Sequence, residues 1–193
     1  MNNYHFKQIT FTFVQQKTQV MKKIFLLLLA LSIFFSVRSQ KVPSVVASVD
    51  LKRYQGTWFE IARLPNFFEK KLKCITATYT LREDGKITVL NKGNNIASPY
   101  KPSSSEGVAW VPDKTSPAKL KVQFFWPFSG DYWIMYLDPD YRFVLVGDSA
   151  RKYLWILCRE KSLDETTYEM LIRKAIDNGY DVTSIIRVEH NCN

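Results

Sequence analysis

The sequence predicts an all-β fold: an eight-stranded antiparallel up-and-down barrel with one C-terminal α-helix packed outside it. Between Gly56 and Arg159 short apolar runs alternate with turn signals at near-even spacing, as in a meandering barrel. Beyond Arg159 the apolar period lengthens from two residues to between three and four. At 46% hydrophobic and 15% aromatic over 193 residues, the chain can fill one core but not two ordinary ones.

Taken in order, the chain opens with residues 1–20, which show neither periodicity nor leader character and are expected to be an upstream mis-start. Met21, Lys22 and Lys23 then give a charged start, residues 24–37 form an apolar run, and Ser39 supplies a small residue before Gln40. Residues 21–39 are therefore expected to be a signal peptide. The run falls short of the roughly 20 apolar residues of a membrane span. The domain is expected to occupy 40–193.

The strands are expected at 56–63, 74–81, 87–92, 106–110, 120–125, 132–138, 141–146 and 153–159. Glu83-Asp84-Gly85 and Asp138-Pro139-Asp140 are tight turns, the first using Gly85 for positive φ. Residues 111–117, with two prolines, form a loop. Tyr168, Leu171, Ile172 and Ala175 fall on one face of a helix. Ser162 and Glu165 have capping-box spacing, and Gly179 stands where a helix C-terminus favours a left-handed residue. The apolar run 182–188 predicts a final extended segment leading to Cys192.

Up-and-down connectivity gathers residues 56–58, 83–85, 112–117, 138–140 and Arg159 at one end. Segments 64–73, 93–105, 126–131 and 147–152 gather at the other. These are longer and irregular, so that end is expected to be the mouth of a cup.

Charge and motifs narrow the function classes. Residues 1–40 carry five basic residues and no acid, so the domain keeps 22 basic against 18 acidic residues, a net charge of +4 rather than +9. No basic run or nucleic-acid motif accompanies it, and nucleic acid is not expected as a partner. Cys74, Cys158 and Cys192 form no Cys-x-x-Cys pair, so a zinc site gives way to an oxidised bridge in an exported protein. No cysteine follows the leader where a lipid anchor would attach, and a periplasmic or secreted location is expected. His190 is the domain's one histidine. With no Gly-x-Ser-x-Gly, His-Glu-x-x-His or phosphate loop, no catalytic residue, metal or cofactor is expected. Glu60, inward by parity from Trp58, is the buried acid to watch, with a structural hydrogen bond as its expected role.

Gly56-Thr57-Trp58, Asp138-Pro139-Asp140-Tyr141 and Arg159, in this order and at one end, resemble the three signature regions of the lipocalin family. Residues 54–63, 77–82, 91–93 and 153–157 are similar to the bacterial outer-membrane lipocalins and to the apolipoprotein D branch. The resemblance covers nearly all of 49–192. The absent anchor cysteine departs from the bacterial group. The resemblance implies a barrel floor plugged by Trp58 with Arg159 packed across the ring, and a disulfide between Cys74 and Cys192. Cys158 is left unpaired and outward beneath the helix. It further implies a hydrophobic small-molecule partner, a fatty acid or lysophospholipid, and an association with the outer membrane.

With Trp155 placed inward by that resemblance, strand parity puts Tyr153 and Leu157 on its face, with Ala77 and Tyr79 on the second strand and Ile87, Val89 and Asn91 on the third. Phe124, Tyr132, Ile134 and Tyr136 continue the expected ligand-binding wall. It is apolar and aromatic, with phenol groups and the Asn91 amide as polar points. At the mouth, Phe67, Phe68, Phe125, Trp126, Pro127 and Phe128 lie near Lys70, Lys71 and Lys73, which suits transient docking on an anionic membrane; self-packing of the loops is the duller account. Four alternatives stand beside the lipid carrier: a tetrapyrrole carrier using Tyr79 or Tyr132 as an axial ligand, an enzyme on the same scaffold, a barrel filled by its own side chains, and a protein-interaction module that binds no small molecule.

Overall fold

The computed structural model describes residues 21–23 and 42–192. Two units are distinguished, Met1–Gln40 and Lys41–Asn193. In the first, residues 21–23 are helical; the expected signal peptide at 21–39 and upstream segment at 1–20 otherwise lie outside the described residues.

The second unit is an eight-stranded antiparallel barrel. A short helix α1 (Leu51–Tyr54) leads into β1 (Gly56–Arg63), β2 (Leu72–Leu81), β3 (Ile87–Asn95) and β4 (Ser98–Trp110). β5 (Lys119–Phe125), β6 (Phe128–Leu137), β7 (Phe143–Gly147) and β8 (Leu154–Cys158) follow. Each strand pairs with its sequence neighbours, and β1 pairs with both β2 and β8, which closes the ring. Helix α2 (Glu165–Asp177) and a two-residue strand β9 (Ile186–Arg187) complete the chain.

Strand composition follows what covers each face. β2 keeps an alternating pattern, whereas all five residues of β7 are buried. Val144 and Val146 point into the barrel with Trp58 and Leu157, while Phe143 and Leu145 pack outside with Tyr168, Leu171 and Ala175 of α2. A strand covered on both sides loses its polar positions and reads as a continuous apolar run. Cys158 joins the outer cluster, its buried thiol pushed up in pKa by desolvation.

Three expectations are corrected. Segments 93–105 and 126–131 are not loops: β3 and β4 pair out to Asn95↔Ser98, and β5 and β6 out to Phe125↔Phe128. Paired strands satisfy their backbone groups whatever the side chains, so the Ser/Pro-rich composition of 98–105 is overridden by its partner. The mouth is therefore built from hairpin tips as well as loops. The α2 N-cap is Asp164, which accepts from Thr167 N at 2.9 Å, and not Ser162, because Glu165 is the first helical residue rather than the third. β7 begins at Phe143, because Tyr141 adopts φ 61° within the preceding turn. At the other end of α2, Gly179 takes φ 82° as expected, with Gly179 N bonded to Ile176 O and Tyr180 N to Ala175 O, the double bond of a Schellman cap.

The C-terminal segment repairs a seam. β1 pairs with β2 only over Gly56–Phe59, and then a bulge between Glu60 and Ala62 turns it away. β9 enters the gap by pairing with Ala62 and Arg63, Val188 N donates to Ile61 O, and Cys74 N donates to Glu189 O. The Cys74–Cys192 disulfide fastens this wedge to β2 across a sequence separation of 118 residues.

Candidate functional site

The floor is built around Trp58, which is 0% exposed. Its indole N–H donates to Tyr54 O at 2.9 Å, and the Arg159 guanidinium lies 3.8 Å from the ring centroid. Arg159 also donates to the carbonyls of Thr57, Arg53, Tyr54 and Gln55 at 2.8–3.2 Å. Three of these carbonyls lie at the end of α1 and the fourth lies at the start of β1, so the cation bonds backbone groups and covers the ring at once. Gly56 is required here: it takes φ 91°, and a Cβ would meet Arg159 Nη1 at 3.3 Å. Asp138 caps the β6–β7 turn, accepting from Arg142 Nε at 2.9 Å and from Asp140 N at 3.1 Å, and the Arg142 bonds hold its carboxyl below the usual carboxylate range. The Tyr141 hydroxyl accepts from Asp50 N at 2.8 Å, with Arg53 over its ring.

Above this floor Tyr79, Ile87, Val89, Ile134 and Leu157 form one interior cluster with Trp58, and Ala77, Phe124, Tyr132 and Trp155 pack against it. Phe124 lies over Gly107, where a Cβ would come within 2.7 Å of the ring. Asn91 pairs in register with Ala77, and its buried Oδ1 has no hydrogen-bond partner. Tyr153 stacks on Trp155 at 5.8 Å and meets Phe68 at the mouth.

Tyr136 is a correction. A bulge between Ile134 and Tyr136 shifts the phase of β6 by one residue. Tyr136 therefore faces outward, stacked on Phe143 with Lys174 of α2 over its ring, and Leu137 takes its place inside.

Two polar groupings sit in the interior. The hydroxyl of Tyr132 is 2.7 Å from that of Tyr54 and 2.8 Å from that of Tyr79. Burial pushes all three hydroxyls well up, so the trio is neutral. Higher on the wall, Arg63 donates to Glu60 Oε1 at 2.9 Å and to Glu69 O at 2.9 Å, with Glu69 Oε2 3.9 Å from its Nε. Glu69 also accepts from Asn66 and from Trp155 Nε1. Burial, and then the nearby Glu69 carboxyl, push Glu60 well above the usual carboxylate range, against the pull of Arg63.

Glu60 has the inward position and structural bond expected of it. Arg63, Glu69 and Tyr54 escape sequence reasoning. Parity from Trp58 turns Arg63 outward, and only the bulge at Ile61 brings it in. Glu69 lies in the β1–β2 connection and Tyr54 in α1, neither of which alternates. The visible signal was two acids and a base within ten residues around the end of β1.

The exposed aromatics concentrate at the opposite end. Phe67 is 83% exposed, Phe125 75%, Trp126 86% and Phe128 77%.

A family model described as a lipocalin-like domain matches residues 49–190. The chain is 42% identical over 151 residues to the outer membrane lipoprotein Blc of Escherichia coli strain K12, covering 76% of this chain and 82% of that protein. It is 35% identical over 158 residues to apolipoprotein D of Macaca fascicularis, covering 78% and 82%. Among solved structures, the cockroach allergen Per a 4 superposes with a TM-score of 0.59 at 23% identity, covering 78% of this chain and 94% of that one.

Proposed function

The chain belongs to the lipocalin family, and on that premise we propose that it is an exported carrier that holds a fatty acid or lysophospholipid in its barrel and catalyses no reaction. Binding of a hydrophobic small molecule is the property the family assignment supports. The observation that carries the finer reading is the asymmetry of the barrel. One end is plugged by Trp58 and Arg159, the wall above it is apolar and aromatic, and the other end is rimmed by exposed aromatics. Burying each methylene contributes roughly 0.8 kcal/mol, so an acyl chain of about fifteen gives a gross 12 kcal/mol before ordering costs.

The haem alternative has less behind it. Tyr79 and Tyr132 are bonded to each other within a buried trio, so turning either hydroxyl to an iron would break that network. Glu60 is held by Arg63 rather than set beside a nucleophile.

The same rim supports transient docking on an anionic membrane, with Phe125, Trp126 and Phe128 at one hairpin tip and Phe67 near Lys70, Lys71 and Lys73. Among the described residues no helix is long and apolar enough to cross a membrane.

Native mass spectrometry with lipid extraction on the oxidised, exported protein tests the carrier reading. A co-purified acyl lipid is expected; an empty protein that also fails to take up a fluorescent fatty acid would sink it. For docking, Trp126→Ala with Phe128→Ala is expected to abolish co-sedimentation with anionic liposomes, and unchanged co-sedimentation would refute that part alone.

A further inference from the structure

We infer that the inner wall selects a ligand whose buried polar group is uncharged, a hydroxyl or amide, over one that buries a carboxylate. The inference rests on the carrier reading and narrows its ligand class.

Arg63 is the one buried cation among the described residues, at 3% exposure, and it is already committed. Two carboxyl groups face it, Glu60 at 2.9 Å and Glu69 at 3.9 Å. Two carboxyl groups thus share one guanidinium, which leaves none of its positive charge uncompensated. A ligand carboxylate entering beside it becomes an unpaired anion in a desolvated site, with no free cation to meet it. The tyrosine trio offers no compensation, because its hydroxyls are uncharged and bonded to one another.

A neutral polar group meets the opposite situation. Arg63 Nε and Asn91 Oδ1 are both buried and both lack a hydrogen-bond partner. One is a donor and the other an acceptor. Both belong to the interior wall, Arg63 in register with Trp155 and Asn91 in register with Ala77. A hydroxyl or amide can accept from the first type of atom and donate to the second, whereas a carboxylate cannot donate at all. Leaving such atoms unmatched costs more than their bonds contribute when made. An amphiphile with an anionic head is thereby directed to leave that head at the mouth, near Lys70, Lys71 and Lys73.

The test is displacement of an uncharged fluorescent acyl probe from the full oxidised protein at neutral pH by dodecanol, dodecanamide and dodecanoate. Dodecanol and the amide are expected to bind about tenfold tighter than dodecanoate. Because a carboxylate is also better hydrated than an alcohol, the variants carry the site-specific part. Because either glutamate can balance the guanidinium alone, the double variant Glu60→Gln with Glu69→Gln is the one that leaves it uncompensated, and it is expected to raise dodecanoate affinity relative to dodecanol by about tenfold. Asn91→Leu, which does not disturb the Glu69 bonds, is expected to weaken dodecanol and leave dodecanoate unchanged. Dodecanoate binding as tightly as dodecanol, or an affinity ratio unmoved by both the double glutamine variant and Asn91→Leu, overturns the preference but not the carrier. Failure of the probe and of all three ligands to bind overturns both.

Discussion

Two tryptophans mark the two ends of this barrel, and they are opposite in every respect that matters energetically. Trp58 is 0% exposed, bonded through its indole N–H and covered by a guanidinium; Trp126 is 86% exposed at a hairpin tip. The floor is a place where packing and hydrogen bonds over-determine each side chain. The mouth leaves large apolar surface in water, which a protein of this size keeps only where something is to be contacted. Packing is concentrated at one end and exposed aromatic surface at the other.

The largest loss is expected at the seam between β1 and β2, where the disulfide ties the C-terminal segment to the barrel. Replacing Cys192 by Ser releases a constraint spanning 118 residues and is expected to cost about 5 kcal/mol by chain entropy, measured by urea unfolding with and without reductant. Next in size is the contrast between the tryptophans themselves. Trp58→Ala is expected to destabilise by about 4 kcal/mol and Trp126→Ala by no more than about 0.5 kcal/mol, in the same denaturation assay. Equal effects would erase the division of labour between the ends.

Arg159→Lys sharpens the reading of the floor. A lysine keeps the charge but cannot reach four carbonyls and a ring face together, so a loss of about 2 kcal/mol and a shift in Trp58 fluorescence are expected. The last effect is read through pH. Glu60 holds in the folded state a proton that it releases in the unfolded chain near pH 4.5. The folded state therefore binds more protons above that pH, and wild-type stability falls as pH rises from about 4.5 toward the raised value of Glu60. Glu60→Gln lacks this slope, so its stability relative to wild type is expected to climb over that window; parallel pH–stability curves would contradict the protonated assignment.

The floor was legible because its determinants are local. Gly56, Trp58, Asp138, Tyr141 and Arg159 each sit next to a turn or strand end that the chain announces. Most of the wall was legible for a similar reason: Tyr79, Val89, Ile134 and Trp155 follow strict alternation from a fixed starting residue. Alternation fails at a bulge, and the two bulges account for the principal misplacements, Tyr136 turned out and Arg63 turned in. A bulge is one extra residue in one strand of a pair, and nothing in Ile61 or Met135 distinguishes it from its neighbours. The mouth hairpins were missed because Ser, Gly, Asn and Pro read as loop, whereas in β3 and β4 each is held by a partner strand.

The sequence by itself determined the strand order, the closed end, the helix over the apolar strands and the family, because these depend on periodicity and on turn residues that act within a few positions. Only the tertiary structure decided how the seam between β1 and β2 is filled, which charges lie inside, and that a guanidinium is shared by two glutamates. Those outcomes depend on strand phase and on contacts between residues brought together by closure of the ring, and a desolvated charge acquires its partner, and its proton, only once that ring has closed.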